Sequence, residues 1–224
     1  MQADRRLARF IVAAIFVLCS AAAHSQNDVA ASLYGAFNQS TSGNAVQQSP
    51  SNAAGVLLEL RHIRTPLVGY ELTYAYNRAN QSYTGTQPGT CGLACGTHVQ
   101  TSVPNNAHEI TGDWVVSLPM GGLRPFVLAG GGLLLNVPSK ASVPASQCAI
   151  ENNVCSMNSV STHSAAKGVL VYGAGVDWTL SPYLGLRFQY RGNVYKAAAL
   201  TNALSSTNAF MQTAEPVIGV FLQF

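Results

Sequence analysis

Leu184-Gly185-Leu186-Arg187-Phe188-Gln189-Tyr190-Arg191-Gly192-Asn193-Val194 is the stretch on which the fold turns. Leu184, Leu186, Phe188, Tyr190 and Val194 fall on one parity, while Gly185, Arg187, Gln189, Arg191 and Asn193 fall on the other. That is a period of two, the repeat of a β-strand with one apolar face; a helix would scatter these charges around its circumference. Val68 to Asn77 repeats the pattern, with Val68, Tyr70, Leu72, Tyr74 and Tyr76 alternating against Gly69, Glu71, Thr73, Ala75 and Asn77. The same test predicts eight strands, at about 28 to 38, 55 to 64, 67 to 78, 107 to 118, 124 to 136, 167 to 180, 183 to 195 and 210 to 224. Each is long enough to cross a bilayer at a tilt, which takes about 9 to 11 residues.

The intervening segments alternate in length. Thr65-Pro66, Pro119 to Leu123 and Ser181-Pro182 are short, whereas 39 to 54, 79 to 106, 137 to 166 and 196 to 209 are long and rich in Ser, Thr, Asn and Gly, and are read as loops. Short turns on one side and long loops on the other are the arrangement of outer-membrane barrels. The expectation is an all-β fold: one closed, antiparallel, eight-stranded transmembrane barrel over 26–224. Composition agrees, since charged residues are only 9% of the 224, against roughly a quarter in ordinary soluble chains.

Residues 1–25 read as a signal peptide, with Arg5, Arg6 and Arg9 before an apolar run from Phe10 to Leu18 and a small-residue cleavage site at Ala21-Ala22-Ala23 or Ala23-His24-Ser25. The bulky Phe16-Val17-Leu18 before Cys19 argues against a lipoprotein. No later apolar run reaches the length of a spanning helix, so strands must do any spanning. Export also frames the cysteines: Cys91 with Cys95, and Cys148 with Cys155, are expected to form two disulfides, each within its own loop. The Cys91-to-Cys95 spacing with His98 nearby would suit zinc, but closed thiolate sites are unusual among exported loops.

At its end the chain resembles the OmpA-like outer-membrane β-barrel family, through the strand Glu215-Pro-Val-Ile-Gly-Val-Phe-Leu-Gln-Phe224 and the run Arg124-Pro-Phe-Val-Leu-Ala-Gly-Gly-Gly132. The resemblance implies recognition of the terminal aromatic strand by the barrel-assembly machinery. It does not carry over a wall-tethering role, since no peptidoglycan-binding domain follows Phe224.

If the apolar faces meet lipid, the other face fills the lumen. Parity places Glu59, Arg61, Glu71, Glu109, Asp113, Arg124, Lys167, Asp177, Arg187, Arg191 and Glu215 there, six acids and five bases. Eight strands leave room for side chains and little more, so these residues are expected to form an ionic plug with no open pore. Arg61 should pair with Glu71 and Arg187 with Asp177, each couple lying symmetrically about its turn. Arg78 and Lys196 have outward parity at the loop ends of their strands and are candidates for contact with lipid phosphate.

Gly130, Gly131, Gly132, Gly173 and Gly175 lie inside strands with no helix following, which excludes a phosphate cradle. His163-Ser164 and His108-Glu109 are adjacent pairs, not the two-residue spacing that puts two strand side chains on one face, while His62 lies near a turn and His98 in a loop, so no catalytic residue, cofactor or metal is assigned. The expected role is structural or surface-interacting, in the bacterial outer membrane, with outer-membrane lipid and an unidentified extracellular partner of the loops, and no nucleic acid. The rivals are a lipid-modifying enzyme and a soluble periplasmic ligand-binding barrel, which would put its apolar residues inside.

Overall fold

The computed structural model describes residues 26–64, 67–89, 92–138, 148–151, 154–157, 162–200 and 206–224. Twelve strands follow one another: β1 (Gln26–Asn38), β2 (Thr41–Gly43), β3 (Val46–Pro50), β4 (Ala53–Ile63), β5 (Val68–Gly89), β6 (Gly92–Ser117), β7 (Leu123–Pro138), β8 (Cys148–Glu151), β9 (Val154–Met157), β10 (Ala165–Ser181), β11 (Leu184–Lys196) and β12 (Phe210–Gln223). The eight long ones form a ring, β1-β4-β5-β6-β7-β10-β11-β12, in which every neighbour is antiparallel. Closure comes from β1 against β12, where Val29 faces Leu222 and Leu33 faces Ile218. Backbone hydrogen bonds between Asn27 and Phe224, at 3.1 and 3.0 Å, lock the two ends on the side of the short turns. With the ring closed, each long strand pairs along its length with a neighbour on both sides, the condition lipid imposes on any spanning structure.

The exterior is apolar around the whole ring. Leu33, Leu58, Leu72, Ile110, Trp114, Val127, Leu133, Leu170, Phe188, Ile218 and Leu222 are all exposed. Trp114, Trp178, Tyr70 and Tyr183 lie toward the turn end, and Phe37, Tyr74, Tyr172 and Phe210 toward the loop end. An apolar band between two aromatic belts is the surface of a barrel solvated by lipid. A soluble ligand-binding barrel would show the opposite polarity. Among the described residues no helix is long and apolar enough to cross a membrane, so crossing falls to the strands.

The loop end departs from expectation. The sequence predicts a loop over residues 79 to 106, yet β5 and β6 run on together, paired from Val68↔Val116 as far as Gly89↔Gly92. The segment 39 to 54 supplies β2 and β3, the latter paired with the extended β5, and the segment 137 to 166 supplies β8 and β9. The physical reason is that a strand beyond the lipid needs no apolar outer face. Asn80, Thr84 and Ser102 face water while Val46, Tyr83 and Val103 are buried on the inner side.

Those three residues pack with Ala198 and Leu200 of the chain after β11, forming an apolar cap over the lumen. The Tyr83 hydroxyl donates to the Ala198 carbonyl at 2.9 Å, and burial pushes this phenol above its ordinary pKa. The lumen wall is likewise less uniformly polar than expected. β7 is apolar on both faces, and its inner residues Phe126, Leu128 and Leu134 pack with Val115, Val169 and Val171. Gly132 allows the wall to close there, since a Cβ on it would stand 1.9 Å from the Ile110 carbonyl oxygen.

Candidate functional site in the lumen

Two ionic groups occupy the interior. In the one nearer the turns, β4 and β5 place Arg61 opposite Glu71, and β10 and β11 place Asp177 opposite Arg187. Arg61 Nε donates to Glu71 Oε2 at 2.7 Å, and Arg187 Nε to Asp177 Oδ1 at 2.7 Å. The two couples are one network, because Arg61 Nη1 also donates to Asp177 Oδ2 at 2.9 Å. Arg187 reaches further, with Nη2 2.9 Å from Asp28 Oδ1 and Nη1 3.4 and 3.5 Å from Glu59 and Glu71. Ser32 and Gln189 donate to the two oxygens of Glu59 at 2.7 and 3.0 Å. Beneath both guanidiniums lies the ring of Phe126, 4.1 Å from Arg61 and 5.7 Å from Arg187.

The second group is centred on Arg191, whose Nη2 lies 3.3 Å from Glu109, 3.3 Å from Thr111 and 3.4 Å from Thr73. Asp113 is 3.9 Å away, and Glu215 is the cross-strand neighbour of Arg191 on β12. Above Arg191 the lumen opens into a small chamber of about 30 Å³, lined by Glu109, Glu215 and a ring of asparagines that includes Asn38, Asn77, Asn105, Asn136 and Asn193. The apolar cap stands over it.

Of the eleven residues that parity directs inward, nine are buried: Glu59, Arg61, Glu71, Glu109, Asp113, Asp177, Arg187, Arg191 and Glu215. Arg124 and Lys167 are only half-buried, because they sit near the ends of their strands; Arg124 hydrogen-bonds Gln26. Asp28, which is not among those eleven, is also buried, beside Arg187. Its inward parity with Ala30 and Ser32 was the available signal. The near-balance of six acids and five bases therefore becomes seven buried carboxylates and three buried guanidiniums. Phe126 and the asparagine ring also had no signal in charge patterning.

The remaining candidates are scattered. Arg78 on β5 and Lys196 on β11 are both exposed but lie on opposite walls of the ring, so they cannot touch one lipid headgroup together. Arg78 tops an outward column in which it faces Asn106 while Tyr76 faces His108; the Tyr74 hydroxyl lies 2.9 Å from His108 Nδ1. Lys196 lies over the Phe210 ring at 5.8 Å. His62 Nδ1 is 2.7 Å from Asn27 Oδ1, far from His108. Cys91 lies outside the described residues; Cys95 belongs to β6, Cys148 to β8 and Cys155 to β9, whose register sets Cys148 opposite Met157 and Cys155 opposite Ile150. Among the described residues no three His, Cys, Asp or Glu side chains are arranged to chelate a metal ion by themselves.

No family model matches the chain, and no curated protein matches it. Among solved structures it is similar to the outer membrane protein OprG from Pseudomonas aeruginosa, at 12% identity over 89% of this chain and 96% of that one, with a TM-score of 0.55. It is also similar to Neisserial surface protein A, at 14% identity over 88% of this chain and 97% of that one, with a TM-score of 0.53. At such identities the likeness extends to the fold: the chain has the closed eight-stranded architecture of small outer-membrane barrels.

Proposed function

We propose that this chain is an OmpA-like barrel of the bacterial outer membrane with a structural and surface-interacting role, a closed lumen and no reaction of its own. The observation that carries the reading is the side-chain packing inside. Arg61, Arg187 and Arg191 are 0–2% exposed, and the lumen above them is covered by the cap around Tyr83 and Leu200. Ions or solutes moving through would have to break a connected set of charge-assisted hydrogen bonds. The hairpin of β5 and β6, rising past the lipid band, offers the surface to an extracellular partner.

The test has three arms. The purified protein should shift its gel migration on boiling and cofractionate with outer membranes. Planar bilayers should show no steady conductance at neutral pH. Lipid A from cells with and without the gene should have the same mass spectrum. A stable open channel would overturn the closed lumen, and an altered lipid A would overturn the non-enzymatic role.

Lipid contact at the loop end is a further part of this reading. The column of Arg78, Asn106, Tyr76 and His108 combines a cation with hydrogen-bonding and aromatic groups at the expected level of the headgroups. Arg78→Gln is expected to reduce co-purifying lipopolysaccharide, whereas Lys196→Gln, on the opposite wall, should act independently of it. Equal retention by wild type and both variants would reduce these residues to solvated surface charges. Within the same role, peptide mapping without reductant should recover Cys91 linked to Cys95 and Cys148 linked to Cys155; a bridge from Cys91 to Cys148 would refute the local pairing. Recognition by the barrel-assembly machinery through the β12 strand predicts that Phe224→Ser lowers the folded yield in cells while leaving refolding in detergent intact.

A further inference from the structure

The chamber above Arg191 is rich in side-chain oxygens, from Glu109, Glu215, Thr213, Gln81 and five asparagines, set among Ala79, Ala107, Leu134 and Tyr195. Asn105 donates its amino group to Asn136 Oδ1 at 2.7 Å, and Asn193 donates to Glu109 Oε2 at 2.9 Å. What these two amides leave over is their carbonyl oxygens, and both Oδ1 atoms are buried without a hydrogen-bond partner. Each residue is 1% exposed and lines the chamber. Buried unpaired acceptors are costly, and natural proteins seldom leave them so without a ligand or water to meet them.

Charge points the same way. Glu109, Asp113 and Glu215 surround a single guanidinium, that of Arg191, which leaves this group of four with a formal charge of −2 when the carboxylates are ionised. Water could satisfy the carbonyls, and proton uptake could neutralise the carboxylates, but neither does both. A divalent cation would. Two carboxylates with amide carbonyls form a hard, all-oxygen ligand set, which lacks the His and Cys ligands that zinc or copper favour. Calcium takes six to eight oxygens in flexible geometry and accepts amide carbonyls readily, whereas magnesium demands a tighter octahedron and retains its waters. A chamber of about 30 Å³ has room for one ion or for one or two waters.

We propose that the outer chamber of the lumen binds one calcium ion between Glu109 and Glu215, with the carbonyl oxygens of Asn105 and Asn193 as further ligands. The ion ties β6 to β11 and β12 across the lumen, a bond that no backbone ladder supplies. It thereby fixes the part of the barrel on which the β5–β6 hairpin and the apolar cap stand.

The experiment uses the full barrel folded in a non-ionic detergent free of lipid, stripped with a chelator and titrated with calcium chloride by calorimetry. Terbium luminescence excited through tyrosine gives a second readout, since Tyr195 lines the same chamber. One calcium per barrel is expected, together with a higher thermal midpoint than in the chelator. Glu215→Gln should weaken calcium affinity by about tenfold or more through loss of a charged ligand, and Asn105→Ala should weaken it less. Folded migration on unboiled gels establishes that each variant has formed its barrel; should Glu215→Gln fail to fold, Asn105→Ala decides the matter alone. Absence of calcium uptake by the wild-type barrel, or unchanged affinity in the folded variants, would overturn the proposal, the second result placing the ion outside the lumen.

Discussion

Replacing Arg187 by Leu is expected to cost about 3 to 5 kcal/mol of stability, measured by urea unfolding in detergent with the fluorescence of Trp114 and Trp178 as the signal. The guanidinium is fully buried and lies within 3.5 Å of Asp28, Glu59, Glu71 and Asp177, so its removal leaves Arg61 as the sole cation of that group. Carboxylates stranded in a low-dielectric interior must take up protons or admit water, and either disrupts the packing. Adding Asp177→Asn should restore only part of the loss, because three of the four carboxylates remain. A double-mutant cycle should nonetheless give a coupling of about 0.5 to 3 kcal/mol. Strictly additive losses would refute a connected network.

Phe126→Ala should cost about as much, 3 to 5 kcal/mol, for two reasons that a second substitution separates. The ring is buried against Leu128 and Val171 on the apolar wall, and its face carries the Arg61 guanidinium at 4.1 Å. Alanine opens a cavity and removes the π face; leucine fills most of the space and removes only the face. Phe126→Leu is therefore expected to lose about 0.5 to 2 kcal/mol, the range of a desolvated cation–π contact. If Phe126→Leu unfolds at the same urea concentration as wild type, the ring serves only as filler.

The barrel itself was legible because lipid imposes a strict rule on sequence: wherever a strand crosses it, every second residue must be apolar. Val68 to Asn77 and Leu184 to Val194 obey that rule, and their register follows from their turns, so Arg61 opposite Glu71 and Asp177 opposite Arg187 could be anticipated. Outside the lipid the rule lapses. Ala79, Gln81 and Tyr83 alternate with Asn80, Ser82 and Thr84, a pattern in which polarity scarcely changes from face to face, and the strand looked like a loop. The interior was legible for charge and opaque for everything else. Phe126 and Leu128 point inward on a strand apolar on both sides, and parity alone cannot say which side is core. The chamber escaped because its asparagines come from several strands, and neutral amides give no sign in sequence of a shared cavity.

The ion pairs also order events in time. Arg61 and Glu71 are ten positions apart, as are Asp177 and Arg187, so each couple can form as soon as its own hairpin closes. A hairpin can thus enter lipid with its charges already matched, sparing the chain the transfer of bare ions. The links from Arg187 to Asp28, 159 positions apart, and from Arg61 to Asp177, 116 apart, require distant hairpins to meet. Contacts so remote in sequence form late, after the loop-closure entropy of the intervening chain has been overcome. The same guanidiniums that shield the early hairpins then become the latch that records completion of the ring, and a chain stalled before β1 meets β12 is left with Asp28 unmatched on an open edge.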